Sequence, residues 1–181
     1  TQNQSSAASD VYKRQARNEA RDLISKNAAK VSEAKVITDA TNNGNNIFNI
    51  DDTAAEIAAG ITNDSTSLLE AGLINSTGAN VAQAVILSGL SKVVVYDLVD
   101  NANKIAETTQ AVRDEAVNIV CNTAATVHEA EIINFSRNSG NSVYNIHDSA
   151  HNISHSTNDL LSTAGTVSTA GTALMSHADD I

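Results

Sequence analysis

His147, His151 and His155 are spaced by four, and Asp148 lies three residues before His151. On a helix that spacing lines up three imidazoles with a carboxylate beside them, a set able to ligate Zn, Ni or Cu. The same histidines fall outside the apolar seam described below, so the expectation is a solvated face with weak metal affinity. Protonation below roughly pH 6.5 is its secondary property. The other chemistry-bearing residues are less organised. His128 is followed by Glu129 and Glu131 but lacks the second histidine of a zinc-hydrolase helix. Asp51 with Asp52, and Asp179 with Asp180, are adjacent pairs that diverge on a helix rather than share a proton. No GxSxG elbow and no glycine-rich phosphate loop occurs. Cys121 is the single cysteine, which excludes an internal disulfide, and no base or helix start is evident to activate it. The sequons at Asn63, Asn75, Asn134 and Asn152 are as many as chance gives with 21 Asn and 35 Ser plus Thr. No catalytic residue, no cofactor and no metal are assigned, no small-molecule substrate is expected, and the chain reads as a non-enzyme.

Composition says what must carry these residues. Net charge is -10, and no Lys or Arg follows Arg137, which argues against a nucleic-acid partner. Aromatics are 3% of residues, with no Trp, so the core is built from Ala, Val, Ile and Leu. Proline is absent, which removes the commonest interruption of a helix. The most apolar window, Val81 to Val99, contains Lys92 and Asp97 and is expected to be a buried helix rather than a membrane span.

Leu98, Ile105, Val112, Ile119, Thr126 and Ile133 recur every seven residues, with Ala102, Thr109, Ala116, Thr123 and Ala130 between them. Ile146, Ile153, Leu160, Val167, Leu174 and Ile181 form a matching arm with Ala150, Thr157, Ala164, Gly171 and Ala178. Spacings of four and three put each set on one helical seam. The expected fold is all-α: an elongated helical bundle or an antiparallel coiled-coil hairpin with heptad seams. Arg137-Asn138-Ser139-Gly140-Asn141-Ser142 is the hairpin tip, or a skip in one continuous rod. Helices are expected over about 16–41, 53–74, 80–136 and 143–181, with Thr53-Ala54-Ala55-Glu56 as a capping box. The only internal repeat apparent is Ser162-Thr163-Ala164-Gly165-Thr166, echoed by Ser168-Thr169-Ala170-Gly171-Thr172.

Two resemblances bear on origin and role. Residues 5–15, SSAASDVYKRQ, resemble a translated tagmentation sequencing adapter. With Thr1 at the start and Met175 as the only methionine, this implies a disordered, non-native leader over 1–15 and a single helical domain over 16–181 that is part of a longer protein. The small-residue heptads of residues 98–181, closing with VSTAGTALMSHADDI, resemble the coiled-coil flanks of bacterial methyl-accepting chemotaxis receptors, which implies signal relay. RNSGNS stands where those receptors carry a Glu- and Ala-rich tip.

The functional expectation is therefore a structural or protein-interaction helical module. It would meet a helical partner, or a second copy, through its seam. Alternatives are a chemoreceptor-like relay segment and a bundle opening onto lipid, as in exchangeable apolipoproteins. Membrane association would come only that way, or through sequence outside this chain.

Overall fold

Asp52, Asp100 and Asp148 lie at or next to the ends of three short strands and are each followed at the second position by alanine and at the fifth by isoleucine. The local consequence is a strand that stops at a helix start, repeated three times. The computed structural model describes residues 2–171, with side chains from Asp10 onward. Helix α1 (Gln2–Glu19) precedes a series of coils of two alternating kinds. The first kind has one strand and one helix: β1 (Leu23–Ile24) with α2 (Val31–Thr38). The second has two short strands and two short helices: β2 (Asn46–Ile47), β3 (Ile50–Asp52), α3 (Ala54–Asn63) and α4 (Thr66–Glu70). The pattern continues through β4 (Ile74–Ser76) and α5 (Val81–Ser88), then β5 (Val94–Val95), β6 (Leu98–Asp100), α6 (Ala102–Glu107) and α7 (Gln110–Glu115). It ends with β7 (Ile119–Cys121) and α8 (Val127–Asn134), then β8 (Ser142–Val143), β9 (Ile146–Ser149), α9 (Ala150–Ser154), α10 (Asn158–Thr163) and β10 (Val167–Ala170).

Every strand pairing is parallel and joins residues 20 to 24 positions apart, from Leu23↔Asn46 through Ile74↔Val94 and Leu98↔Ile119 to Val167↔Ile146. Single bridges at Ala29↔Ile50, Ala79↔Leu98 and Ala125↔Ile146 fill the steps between these sheets. Parallel neighbours require a crossover, and here each crossover carries one or two short helices laid on the coil beside it. The result is a solenoid, in which each coil buries its apolar side against the next.

The all-α expectation is overturned. Among the described residues the chain is 44% helical and 19% strand, with four small parallel sheets and 10 short helices rather than a bundle or a coiled coil. The heptad misled for a definite reason. The stacking offset Leu98↔Ile119 is 21 positions, three sevens, so residues of adjacent coils share a heptad phase without sharing a helix. Leu98, Ile105, Val112, Ile119 and Ile133 are indeed buried, but they lie on β6, α6, α7, β7 and α8. The second arm, Ile146, Ile153, Leu160 and Val167, is the same set displaced by 48 positions. Leu174 and Ile181 lie outside the described residues. The supposed hairpin tip at Arg137–Ser142 is a turn that lays β8 parallel on β7. There the Gly140 N–H donates to Val117 O at 2.7 Å, and a side chain on Gly140 would collide with Asn118 Oδ1. The window 81–99 holds α5, β5 and the start of β6, and no helix among the described residues is long and apolar enough to cross a membrane. The segment expected to be a disordered leader is helical over Gln2–Glu19. The capping box expected at Thr53 forms by half: the Glu56 N–H donates to Thr53 Oγ1 at 3.2 Å, while the Thr53 N–H goes to Asp52 Oδ1 instead of to Glu56.

A repeat of 48 residues underlies the solenoid. Phe48, Tyr96 and Tyr144 recur at that spacing and are all buried, as do Ile50, Leu98 and Ile146, then Ile57, Ile105 and Ile153. The two tyrosines keep their hydroxyls bonded inside the stack, Tyr96 to Val112 O at 3.0 Å and Tyr144 to Thr163 Oγ1 at 2.6 Å. Burial, with Glu115 nearby, pushes the Tyr96 hydroxyl up to about 12.

Candidate functional site

The aspartates of the repeat are brackets between coils. Asp52 Oδ2 accepts the Val31 N–H at 2.9 Å while Oδ1 accepts the Thr53 N–H at 2.9 Å. Asp100 does the same for Val81 (3.1 Å) and Asn101 (2.8 Å), and Asp148 for Val127 (2.9 Å) and Ser149 (2.7 Å). One carboxylate thus binds the first free amide of the preceding coil's helix and an amide at the start of its own, satisfying two donors that helix ends leave open. Lys30 and Lys104 stand 3.7 and 3.4 Å from Asp52 and Asp100. At Asp100 and Asp148 burial pulls the carboxyl pKa upward, but the accepted backbone hydrogen bonds outweigh it and hold both below the ordinary carboxylate value. A second ladder runs beside this one. Asp22, Asn49, Asp97 and Asn118 each accept, through Oδ1, the N–H of a residue in the next coil: Asn45, Leu73, Asn118 and Asn141.

The histidine set is divided by this architecture. His147 lies on β9 with Nδ1 2.9 Å from Ser168 Oγ, whereas His151 and His155 lie on and just after α9 with ring centroids 4.2 Å apart. Asp148 is committed to the bracket, with Asn152 Nδ2 also donating to its Oδ1 at 2.8 Å. Among the described residues no group of three or more His, Cys, Asp or Glu could hold a metal ion. The row was expected on a helix, but the chain is still a strand at His147. Asp51 is exposed while Asp52 points inward, so they do not form a carboxylate pair. Asp179 and Asp180 lie outside the described residues. Cys121 sits half-buried on β7, and burial, reinforced by Glu129, pushes its thiol up to about 11, against reactivity near neutral pH.

A different constellation went unread in the sequence. Between α7 and α8 lies a groove of about 340 Å³ lined by Arg113, His128, Glu131, Ile132 and Phe135. Arg113 is 7% exposed, while Phe135 is 70% exposed. Arg113 Nη1 donates to Ile105 O at 3.3 Å, Ala106 O at 3.1 Å and to Thr108 O, capping the carbonyl end of α6. Its Nε is buried without an acceptor. Burial lowers the guanidinium pKa, with Asp114 opposing. His128 Nδ1 lies 3.8 Å from Glu131 Oε2 along α8. The signal that could have found this site is the repeat, since Arg113 stands 48 residues before Leu161 and, counted from the N-caps Ser65 and Thr109, opposite Leu69. No family model, no curated protein and no solved structure matches this chain.

Proposed function

We propose that the chain is a non-enzymatic structural module, a rigid stack that holds an Asn-, Ser- and Thr-rich surface at a set spacing. The observation that carries this reading is the aspartate bracket, which ties each unit to its neighbour with the same two hydrogen bonds at Asp52, Asp100 and Asp148. A fixed contact repeated along a solenoid makes its stability a sum over neighbouring coils. Relay along long helices and opening of an amphipathic bundle lose their basis, because the seam residues belong to separate strands and helices. Stretching single chains held at both ends tests the reading. Sequential release of about 75 Å per coil, from 20 to 24 residues at 3.3–3.6 Å each, is expected. One low-force jump of the whole chain would count against a stack of tied coils.

A protein-interaction role is favoured by one further feature, the row Val99, Val120 and Val143, in register across β6, β7 and β8 and not buried. Sedimentation that shows self-association, lost in Val143→Lys, would support it. A monomer at all concentrations would remove self-binding.

A further inference from the structure

We propose that the groove between α7 and α8 binds a small carboxylate with an apolar body, the carboxylate held by Arg113 and the body lying on Ile132 and Phe135. This goes beyond the structural role and does not depend on it. A buried guanidinium is ordinarily matched by a carboxylate, whose two oxygens fit its planar fork. Arg113 instead meets only carbonyls, no carboxylate lies within ion-pair distance of it among the described residues, and Nε keeps an unused N–H. A charge so enclosed is costly unless something completes its shell. The α6 carbonyls do part of this, and Arg113 also lines the groove.

The repeat supplies an internal control. Counted from the helix N-caps Ser65, Thr109 and Thr157, Val112 corresponds to the buried Leu68 and Leu160, so the next position is leucine in both flanking units and arginine only here. The upstream offset is 44 rather than 48 because α3 is longer than α6. Aligning α8 on α5 and α2 through Val127, Val81 and Val31 sets Phe135 opposite Gly89 and Asp39, and His128 opposite Ala82 and Ser32. Only Ile132 has apolar counterparts in both, Ile86 and Val36. Residues needed for stacking recur in every unit, and four of the five that line this groove do not. Its volume lies at the lower end of the range for ligand pockets, which suits a molecule of phenylacetate size. Glu131 is the one lining carboxylate and opposes an anion. His128 beside it offsets that charge when protonated.

The test is an NMR titration of the full chain with phenylacetate and, separately, with phenylacetamide. Phenylacetate is expected to give saturable shifts confined to α7 and α8, with a dissociation constant of about 1 mM. The amide, which lacks the charge, should bind about tenfold or more weakly. Arg113→Leu installs the residue of the flanking units and should lose phenylacetate binding by about tenfold or more, and Phe135→Gly should weaken it several-fold. N-acetylglycylphenylalanine distinguishes the source: stronger binding than phenylacetate assigns the groove to a peptide C-terminus, weaker binding to a free small acid. The proposal is overturned by absence of saturable shifts with phenylacetate, by equal affinity for acid and amide, or by unchanged affinity in Arg113→Leu. Should that variant not fold, an unchanged affinity in Phe135→Gly overturns it equally.

Discussion

The bracket at Asp100 and the groove at Arg113 lie on the same coil and follow opposite rules. Asp100 has counterparts at Asp52 and Asp148 with the same two amide partners, whereas Arg113 has leucines as counterparts and a shell of carbonyls found nowhere else in the described stack. In a solenoid the stacking contacts must recur, because each coil presents the same edge to the next. A residue that breaks the recurrence while remaining buried is under a different constraint. Comparing units therefore sorts structural residues from candidate ligand contacts within one chain.

The severest way to break the stack is to place a charge where coils meet. Ile119 is fully buried on β7 between β6 and β8, so Ile119→Asp should cost several kcal/mol, comparable to the whole stability of a domain this size. His155→Asp, on an exposed position, should stay within about 0.5 kcal/mol. Urea unfolding of the two variants measures both.

Removing a bracket should cost less and should cost alike in each unit. Asp52→Ala, Asp100→Ala and Asp148→Ala each strip an acceptor from two amides, for about 1–3 kcal/mol apiece. Losses of similar size would sharpen the comparison, and a loss confined to one unit would break it. Acid reads out the same contacts. Because the folded Asp100 and Asp148 carboxyls lie below the ordinary aspartate value of 3.8, they contribute stability above that pH and lose it as pH falls through their folded values. Melting temperature should therefore fall below about pH 4, and the fall should be shallower in an Asp100→Asn, Asp148→Asn double variant.

The smallest effect is expected at the groove. Replacing a buried charge by an apolar residue of suitable volume is often neutral or stabilising, so Arg113→Leu should change stability by no more than about 1 kcal/mol. A much larger loss in urea unfolding would show that the arginine's hydrogen bonds to the α6 carbonyls hold the fold and account for its burial without a ligand.

Much of the burial pattern was legible in the sequence. The seam residues Leu98, Ile105, Val112, Ile119, Ile146, Ile153 and Leu160 are core residues, and Thr53 does start a helix. Their assignment to long helices failed because the 21-position stacking offset is a multiple of seven. A heptad and a coil-to-coil register then select the same positions. The 48-residue spacing of Phe48, Tyr96 and Tyr144 was equally present in the sequence and would have pointed to a solenoid. Asp52, read as one of an adjacent acidic pair, Asp148, read beside the histidine row, and Asp100, not singled out, are helix caps reaching into another coil, a partnership 19 to 21 positions away that local spacing does not show.

What the sequence determined by itself is which side chains leave water: a set of Ile, Leu, Val, Ala and Tyr repeated at fixed intervals, since apolar identity and spacing decide burial whatever the backbone does. Only the tertiary structure decided whether those intervals wind as helix or stack as parallel strands. Strand pairing depends on backbone groups of distant coils meeting in register. It also decided the setting of Arg113, whose surroundings belong to α6 and α8 and exist only once the coils are stacked.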